Sequence, residues 1–69
     1  MEEAEIKAYK RDVIRKFARR REKSKMSYRQ AARLIEIDHA QLWRIEKGTE
    51  EASKKVVEKM NIFLHSQKR

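Results

Sequence analysis

Sixty-nine residues make one domain, and a domain of that size buries only about 60% of the surface its unfolded chain exposes, so no room is left for a separate ligand-binding unit. The absence of cysteine excludes disulfides and thiolate metal sites, and the two histidines, His39 and His65, stand too far apart in sequence to suggest a metal site, so neither a metal nor any other cofactor is expected. Nineteen Lys and Arg against eleven Asp and Glu give a formal charge of +8 and a pI near 10.1, a balance suited to a nucleic-acid partner.

No apolar run approaches the ~20 residues of a membrane span, and the start at Met1, Glu2, Glu3 does not read as a signal peptide. The expectation is a soluble, cytoplasmic, nucleoid-associated protein with no membrane partner. No repeat, low-complexity tract or linker divides the chain. Its acids are not grouped with a His, Ser or Lys in an evident pocket, so an enzyme is not expected.

Residues Met1 to Lys23 contain no Gly or Pro and place Ile6, Tyr9, Val13, Phe17 and Ala18 near helical spacing. Glu2, Glu3 and Glu5 lie at the end where the helix dipole favours acids. The spacing predicts one long helix from about Glu3 to Lys23, with Val13 and Phe17 facing the core. Ile6 and Tyr9 then need a cover, either the last helix of the same chain or a second subunit. From Arg15 to Lys25 seven basic residues stand against one acid, Glu22. Such a run is either a solvated face or, at Arg20, Lys23 and Lys25, a strip beside a phosphate backbone.

Ser24 to Met26 reads as a loop. Ser27 to Gly48, SYRQAARLIEIDHAQLWRIEKG, then carries two helix-start signals eleven residues apart. Ser27 caps the first helix with Gln30 three residues on, and Met26 and Ala31 can staple it. Asp38 caps the second with Gln41 three residues on, and Ile37 and Leu42 form the staple. Leu34 to Ile37 leave three or four residues in which to turn, enough only for two helices packed at a steep angle. Gly48 supplies a left-handed stop. Ala31, Ala32, Ile35, Ile37, Leu42 and Ile45 give each helix a stripe facing the other, and small Ala32 permits close approach. The outward residues of the second helix are His39, Ala40, Trp43, Arg44 and Lys47.

After Gly48, Thr49 can cap a last helix from about Glu50 to Leu64 or His65, with Glu50 and Glu51 in its first turn. Ala52, Val56, Val57, Met60, Phe63 and Leu64 form its core stripe. Ile62 lies off that stripe, either exposed or in contact with another chain. Ser66 to Arg69 are expected to fray.

From about Val13 to Met60 the chain resembles the Cro/CI-type (XRE) helix-turn-helix family of phage repressors and small bacterial regulators. The resemblance rests on the turn pattern and on R-I-E-K-G at Arg44 to Gly48. It implies a single all-α domain over residues 1–69, a compact lambda-repressor-like bundle of four helices, with five as the alternative count, and an extended N-terminal helix. It also implies an ion pair, Arg21 with Glu46, linking the first helix to the recognition helix. The departure is Glu36, where the family usually has glycine. A non-Gly residue is strained at positive φ, so a slightly reshaped turn is expected. The chain stops about one helix short of the family pattern, and the extended first helix is expected to serve as the missing lid over the last one.

The same resemblance implies double-stranded DNA as the partner, with the helix at 39–47 in the major groove. His39, Ala40, Trp43 and Arg44 match the family's base-facing positions, and Gln41 borders them. The planar fork of Arg44 suits guanine O6 and N7, the alternative being a phosphate or the Glu46 side of its helix. His39 suits a base or phosphate, and Ala40 a thymine methyl. Trp43 either packs on sugars and methyls or anchors a protein contact. Phosphate contacts are expected from Ser27, Tyr28 and Arg29 on one side and from Lys47, Thr49, Lys54 and Lys55 on the other. Since one such domain reads few base pairs, a homodimer is expected at least on DNA, through Ile62, Phe63 and Leu64 or through Ile6 and Tyr9. Three functions are compatible with this: a small transcriptional repressor of phage, plasmid or bacterial origin; an accessory DNA-binding protein of plasmid transfer or recombination; or an antitoxin-type or anti-repressor-type module that uses the fold to bind a regulatory protein partner. RNA is a weaker candidate, because neither stacking aromatics on a sheet nor a Gly-rich clamp is present.

Overall fold

With one glycine and no proline, the chain has few breakers, so its helices run until a cap or a turn stops them. The computed structural model, which describes residues 3–66, has four helices: α1 (Glu3–Lys23), α2 (Tyr28–Leu34), α3 (His39–Lys47) and α4 (Lys54–Ser66), with no strand among the described residues. Met1, Glu2 and residues 67–69 lie outside that range; of the tail at Ser66 to Arg69 expected to fray, Ser66 is described and ends α4 as a helical residue, and the rest falls outside the described residues.

Both motif helices start on side-chain caps. Gln30 N–H donates to Ser27 Oγ at 3.1 Å while Ser27 N–H donates to Gln30 Oε1 at 3.0 Å, a complete capping box. Asp38 Oδ2 accepts from Ala40 N–H at 3.0 Å. The second start lacks the reciprocal half of the box, because the Gln41 amide is turned towards Glu50 instead.

Three of the four helices end in one way. The N–H of Met26, Ile37 and Thr49 donates back five residues to the carbonyls of Arg21, Ala32 and Arg44, at 3.0, 3.0 and 2.9 Å. Inside each, the N–H of Lys25, Glu36 and Gly48 donates back three residues, at 3.1, 3.2 and 3.2 Å. This pattern needs a left-handed residue at its centre, and Lys25 (φ 59°), Glu36 (φ 59°) and Gly48 (φ 86°) take that conformation. Glu36 therefore adopts the conformation that the family usually assigns to glycine. Lys59 Nζ, from α4, donates to its carboxylate at 2.6 Å. That hydrogen bond, and then the lysine's charge, hold the Glu36 carboxyl below the ordinary carboxylate range.

The core gathers one stripe from each helix. Phe17, Ile35, Leu42, Val57 and Met60 are fully buried, with Val13, Ala31, Ala32, Ile45, Ala52 and Val56 around them. Ile14, Tyr28, Ile37, Phe63 and Leu64 close the edges, and Phe17 meets Phe63 edge-on at 5.4 Å between ring centroids. Ala31 and Ala32 are the buried small residues of α2, which packs against α3.

Two expectations give way. The last helix starts at Lys54, not Glu50, and its cap is Ser53, not Thr49: Ser53 Oγ accepts from Val56 N–H at 3.2 Å. Closure of α3 uses the N–H groups of Thr49 and Glu50, both directed at Arg44 O, and the Thr49 hydroxyl donates to the same carbonyl, so that side chain is turned back to α3 and not towards the next helix. The first half of α1 is also no lid, since Ile6 and Tyr9 stay exposed. At 1.5 Å per residue, the 21-residue α1 is about 31 Å long and the 13-residue α4 about 20 Å. Lys10 Nζ reaches the carbonyl of Ala52, ahead of α4, at 3.1 Å, so the residues of α1 before Lys10 outrun the helix they were to cover.

A Cβ built on Gly48 meets nothing within 4 Å, so replacing this residue tests backbone strain alone. Gly48→Ala should lower unfolding free energy by about 1 kcal/mol in urea denaturation, and Gly48→Asn by less, since Asn tolerates the left-handed region. Equal stability of all three proteins would mean that the turn relaxes without strain.

Candidate nucleic-acid interface

The outer face of α3 is set by its period. Leu42 and Ile45 face inward and are buried, so residues at complementary angles face solvent. His39, Trp43, Arg44 and Lys47 are exposed, and Ala40 and Gln41 half-buried. Trp43 keeps 46% of its surface accessible, and Lys47 Nζ lies 5.8 Å from the centre of its ring. His39 Nδ1 stands 4.0 Å from the Asp38 carboxylate.

Arg44 and Gln41, three residues apart, are tied to one acid from beyond their own helix. Arg44 Nε donates to Glu50 Oε1 at 2.8 Å, and Gln41 Nε2 donates to Glu50 Oε2 at 3.2 Å. The sequence pattern assigns Glu50 to the first turn of the last helix. Instead the reversal after Gly48 folds it back over α3, its N–H 3.3 Å from Arg44 O. The signal for this is Gly48 itself, because a glycine stop of this type returns the next two residues to the last turn of the helix. Thr49 is drawn into the same closure, its hydroxyl donating to Arg44 O at 3.2 Å.

The other residues read as phosphate contacts begin the helices before and after α3 in the chain. Ser27 and Arg29 are exposed at the start of α2. Tyr28 is half-buried with the Arg21 guanidinium 4.1 Å above its ring centre, so its ring supports α1 while it opens α2. Lys54 and Lys55 are exposed in the first turn of α4, which holds no acid. Lysines oppose the dipole there, so the first turn combines two cations with the positive end of a helix, an arrangement poor for the helix and good for an anion. Arg20 and Lys23 lie apart from this group, lining a shallow depression with Asn61, Leu64 and His65 at the other end of α4.

The orientation of α3 depends on Arg21. Its Nε and Nη2 donate to Glu46 Oε2 and Oε1, both at 3.0 Å, and Nη1 donates to Met26 O at 3.3 Å. The two side chains retain 10% and 5% of their exposure. Burial pulls the guanidinium pKa down, but the hydrogen bonds and charge of Glu46, followed by Tyr28 and Glu22, outweigh it and leave the group above its ordinary value.

Among the described residues no group of His, Cys, Asp or Glu could hold a metal ion, and no helix is long and apolar enough to cross a membrane. A family model described as a helix-turn-helix domain matches residues 15–61. No curated protein and no solved structure matches the chain.

The buried pair sets a sharp expectation. Glu46→Ala, which strands a buried guanidinium, should cost about 3–5 kcal/mol in denaturant unfolding. The apolar double variant Arg21→Met with Glu46→Leu should lose far less. Equal loss in both would show that the packing of these side chains, not the isolated charge, carries the stability.

Proposed function

Because the chain belongs to the helix-turn-helix domain family, in keeping with its Cro/CI-type (XRE) resemblance, and because that fold is a DNA-binding one, we propose that it is a sequence-specific double-stranded DNA-binding regulator. The reading extends to a small repressor of phage, plasmid or bacterial origin that acts as a homodimer. The observation that carries it is the exposed α3 face, with Arg44, Trp43 and His39 on it and cations at the starts of α2 and α4 beside it.

The physical steps are short. An α-helix with side chains is about 10–12 Å across and the major groove about 12 Å wide, so α3 enters while α2 crosses the backbone. Arg44, with Gln41, His39, Ala40 and Trp43, then reads base edges. Ser27, Tyr28, Arg29, Lys47, Lys54 and Lys55, with the backbone around Thr49, hold the flanking phosphates and set the register. Two copies on half-sites about 34 Å apart supply the specificity that one domain lacks. Ile62 and the half-buried Phe63 and Leu64 of α4 are the self-association surface, with Ile6 and Tyr9 as the second candidate.

A second reading has its own support. Leu34 and Ile62 are 54% and 66% exposed and line one groove with Met26 and Phe63, as a module that binds a regulatory protein partner would need. An accessory role in plasmid transfer or recombination uses the same DNA face and differs only in the consequence of binding.

Selection from randomised duplexes followed by anisotropy titration tests the reading. The selected duplex should bind at least about a thousandfold tighter than a scrambled one. Arg44→Ala should lose roughly 1–3 kcal/mol on the selected site and relax one base pair, whereas Lys54→Ala should weaken all duplexes alike and reduce the salt slope by about one. No binding at low salt would overturn the DNA reading in favour of the protein-interaction one.

A further inference from the structure

Building on the DNA-reading role proposed above, we propose that Glu50 is a positioning residue for base recognition: its carboxylate sets the orientation of both Arg44 and Gln41, and so selects guanine and adenine at their positions. The carboxylate gives one oxygen to each partner, at 2.8 Å to Arg44 Nε and 3.2 Å to Gln41 Nε2.

The donors it occupies are ones that base reading can spare. Arg44 has five N–H donors. With Nε–H held by Glu50, the two Nη groups remain free, and they form the fork that meets guanine O6 and N7. Gln41 reads adenine with one amide N–H and its carbonyl oxygen. One N–H is held by Glu50, and the other N–H and Oε1 remain. An ionised carboxylate can only accept, so it draws Nε2 to itself and leaves Oε1 on the other side of the amide. Glu50 thereby fixes which way a nearly symmetric amide group points.

The carboxylate is itself held. Gly48 reverses the chain, and Arg44 O accepts from Thr49 N–H, Thr49 Oγ1 and Glu50 N–H at 2.9, 3.2 and 3.3 Å. The backbone of Glu50 is thus hydrogen-bonded to the residue whose side chain it orients. An acid on a DNA-facing surface repels phosphate. Added discrimination would offset that cost to general affinity.

The competing account is an electrostatic brake, in which Glu50 weakens binding to every sequence without affecting choice. Glu50→Gln separates the two, since the amide is nearly isosteric but can donate as well as accept and no longer dictates the Gln41 amide. Selection from randomised duplexes, then anisotropy on the selected site and its single-base variants, should be run on the wild-type chain, Glu50→Gln, Glu50→Ala, Arg44→Ala and the Arg44→Ala, Glu50→Ala double variant. The wild-type chain should prefer guanine opposite Arg44 by about tenfold or more, falling to roughly threefold or less in both Glu50 variants, while binding to unrelated duplexes holds or rises. Once Arg44 is removed, removing Glu50 should change nothing further at that base pair and should not weaken binding to duplexes in general, whereas a purely structural role would weaken every duplex in that background too. Wild-type base preference retained in Glu50→Gln, with all duplexes bound more tightly, would overturn the proposal in favour of the brake. A wild-type chain that selects no sequence would overturn the DNA-reading role, and this proposal with it.

Discussion

The guanidinium of Arg21 meets groups from three parts of the fold: its own helix α1, the start of α2 through Met26 O and the Tyr28 ring, and the inner side of α3 through Glu46. No other side chain among the described residues makes as many polar links between elements. α2 and α3 have seven and nine residues, too short to hold helical structure alone in water. Their angle to each other is set by the apolar seam at Ala32, Ile35 and Leu42, but their angle to α1 depends on a pair of charges removed from solvent. A buried pair of this kind is not a strong source of stability, because desolvation offsets much of the attraction. Its contribution is geometric, since a two-point contact between a fork and a carboxylate fixes the direction in which α3 leaves the core.

A chain with a single glycine makes the left-handed turn three times. Lys25 and Glu36 adopt a conformation that L-residues disfavour, and each is held by its surroundings: Met26 N–H bonded to Arg21 O after Lys25, and Lys59 against the Glu36 carboxylate. These stops lie at the junctions of a fold whose helices are joined by only four to six residues. The strain is therefore local, while the apolar contacts that over-determine it come from all four helices.

The extent of the fold that the sequence made legible depends on how local each signal was. Ser27 with Gln30, and Asp38 before Ala40, are caps written into neighbouring residues, so the starts of α2 and α3 could be read directly. The outward face of α3 was equally legible, since Leu42 and Ile45 fix the inward side and the helical period fixes the rest. The partners of those outward side chains were not, because Glu50 reaches Arg44 only through the backbone path after Gly48. Thr49 looked like a cap because hydroxyls favour that position, yet the closure of α3 claimed it first, and Ser53 serves instead. Covering Ile6 and Tyr9 required comparing the lengths of α1 and α4, which no single stretch of sequence reveals.

Two features around α3 add little to stability or run against it, and both involve the residues proposed to meet DNA. Lys54 and Lys55 occupy a helix start where acids would be favoured by roughly 0.3–1 kcal/mol each. The Arg44 and Glu50 pair is largely solvated, 48% and 31% exposed, and ion pairs so placed contribute little to folding. Two acids elsewhere have structural tasks, Glu46 on Arg21 within the core and Asp38 at a helix start. Three exposed cations, Arg29, Lys54 and Lys55, stand at the starts of α2 and α4, the helices before and after α3 in the chain. When local choices that weaken a fold gather on one face and those that strengthen it gather on the other, the weak face is where an external partner supplies the missing interactions. Duplex DNA, the partner that the helix-turn-helix family suggests, is anionic and has a groove that receives a helix about 10–12 Å across.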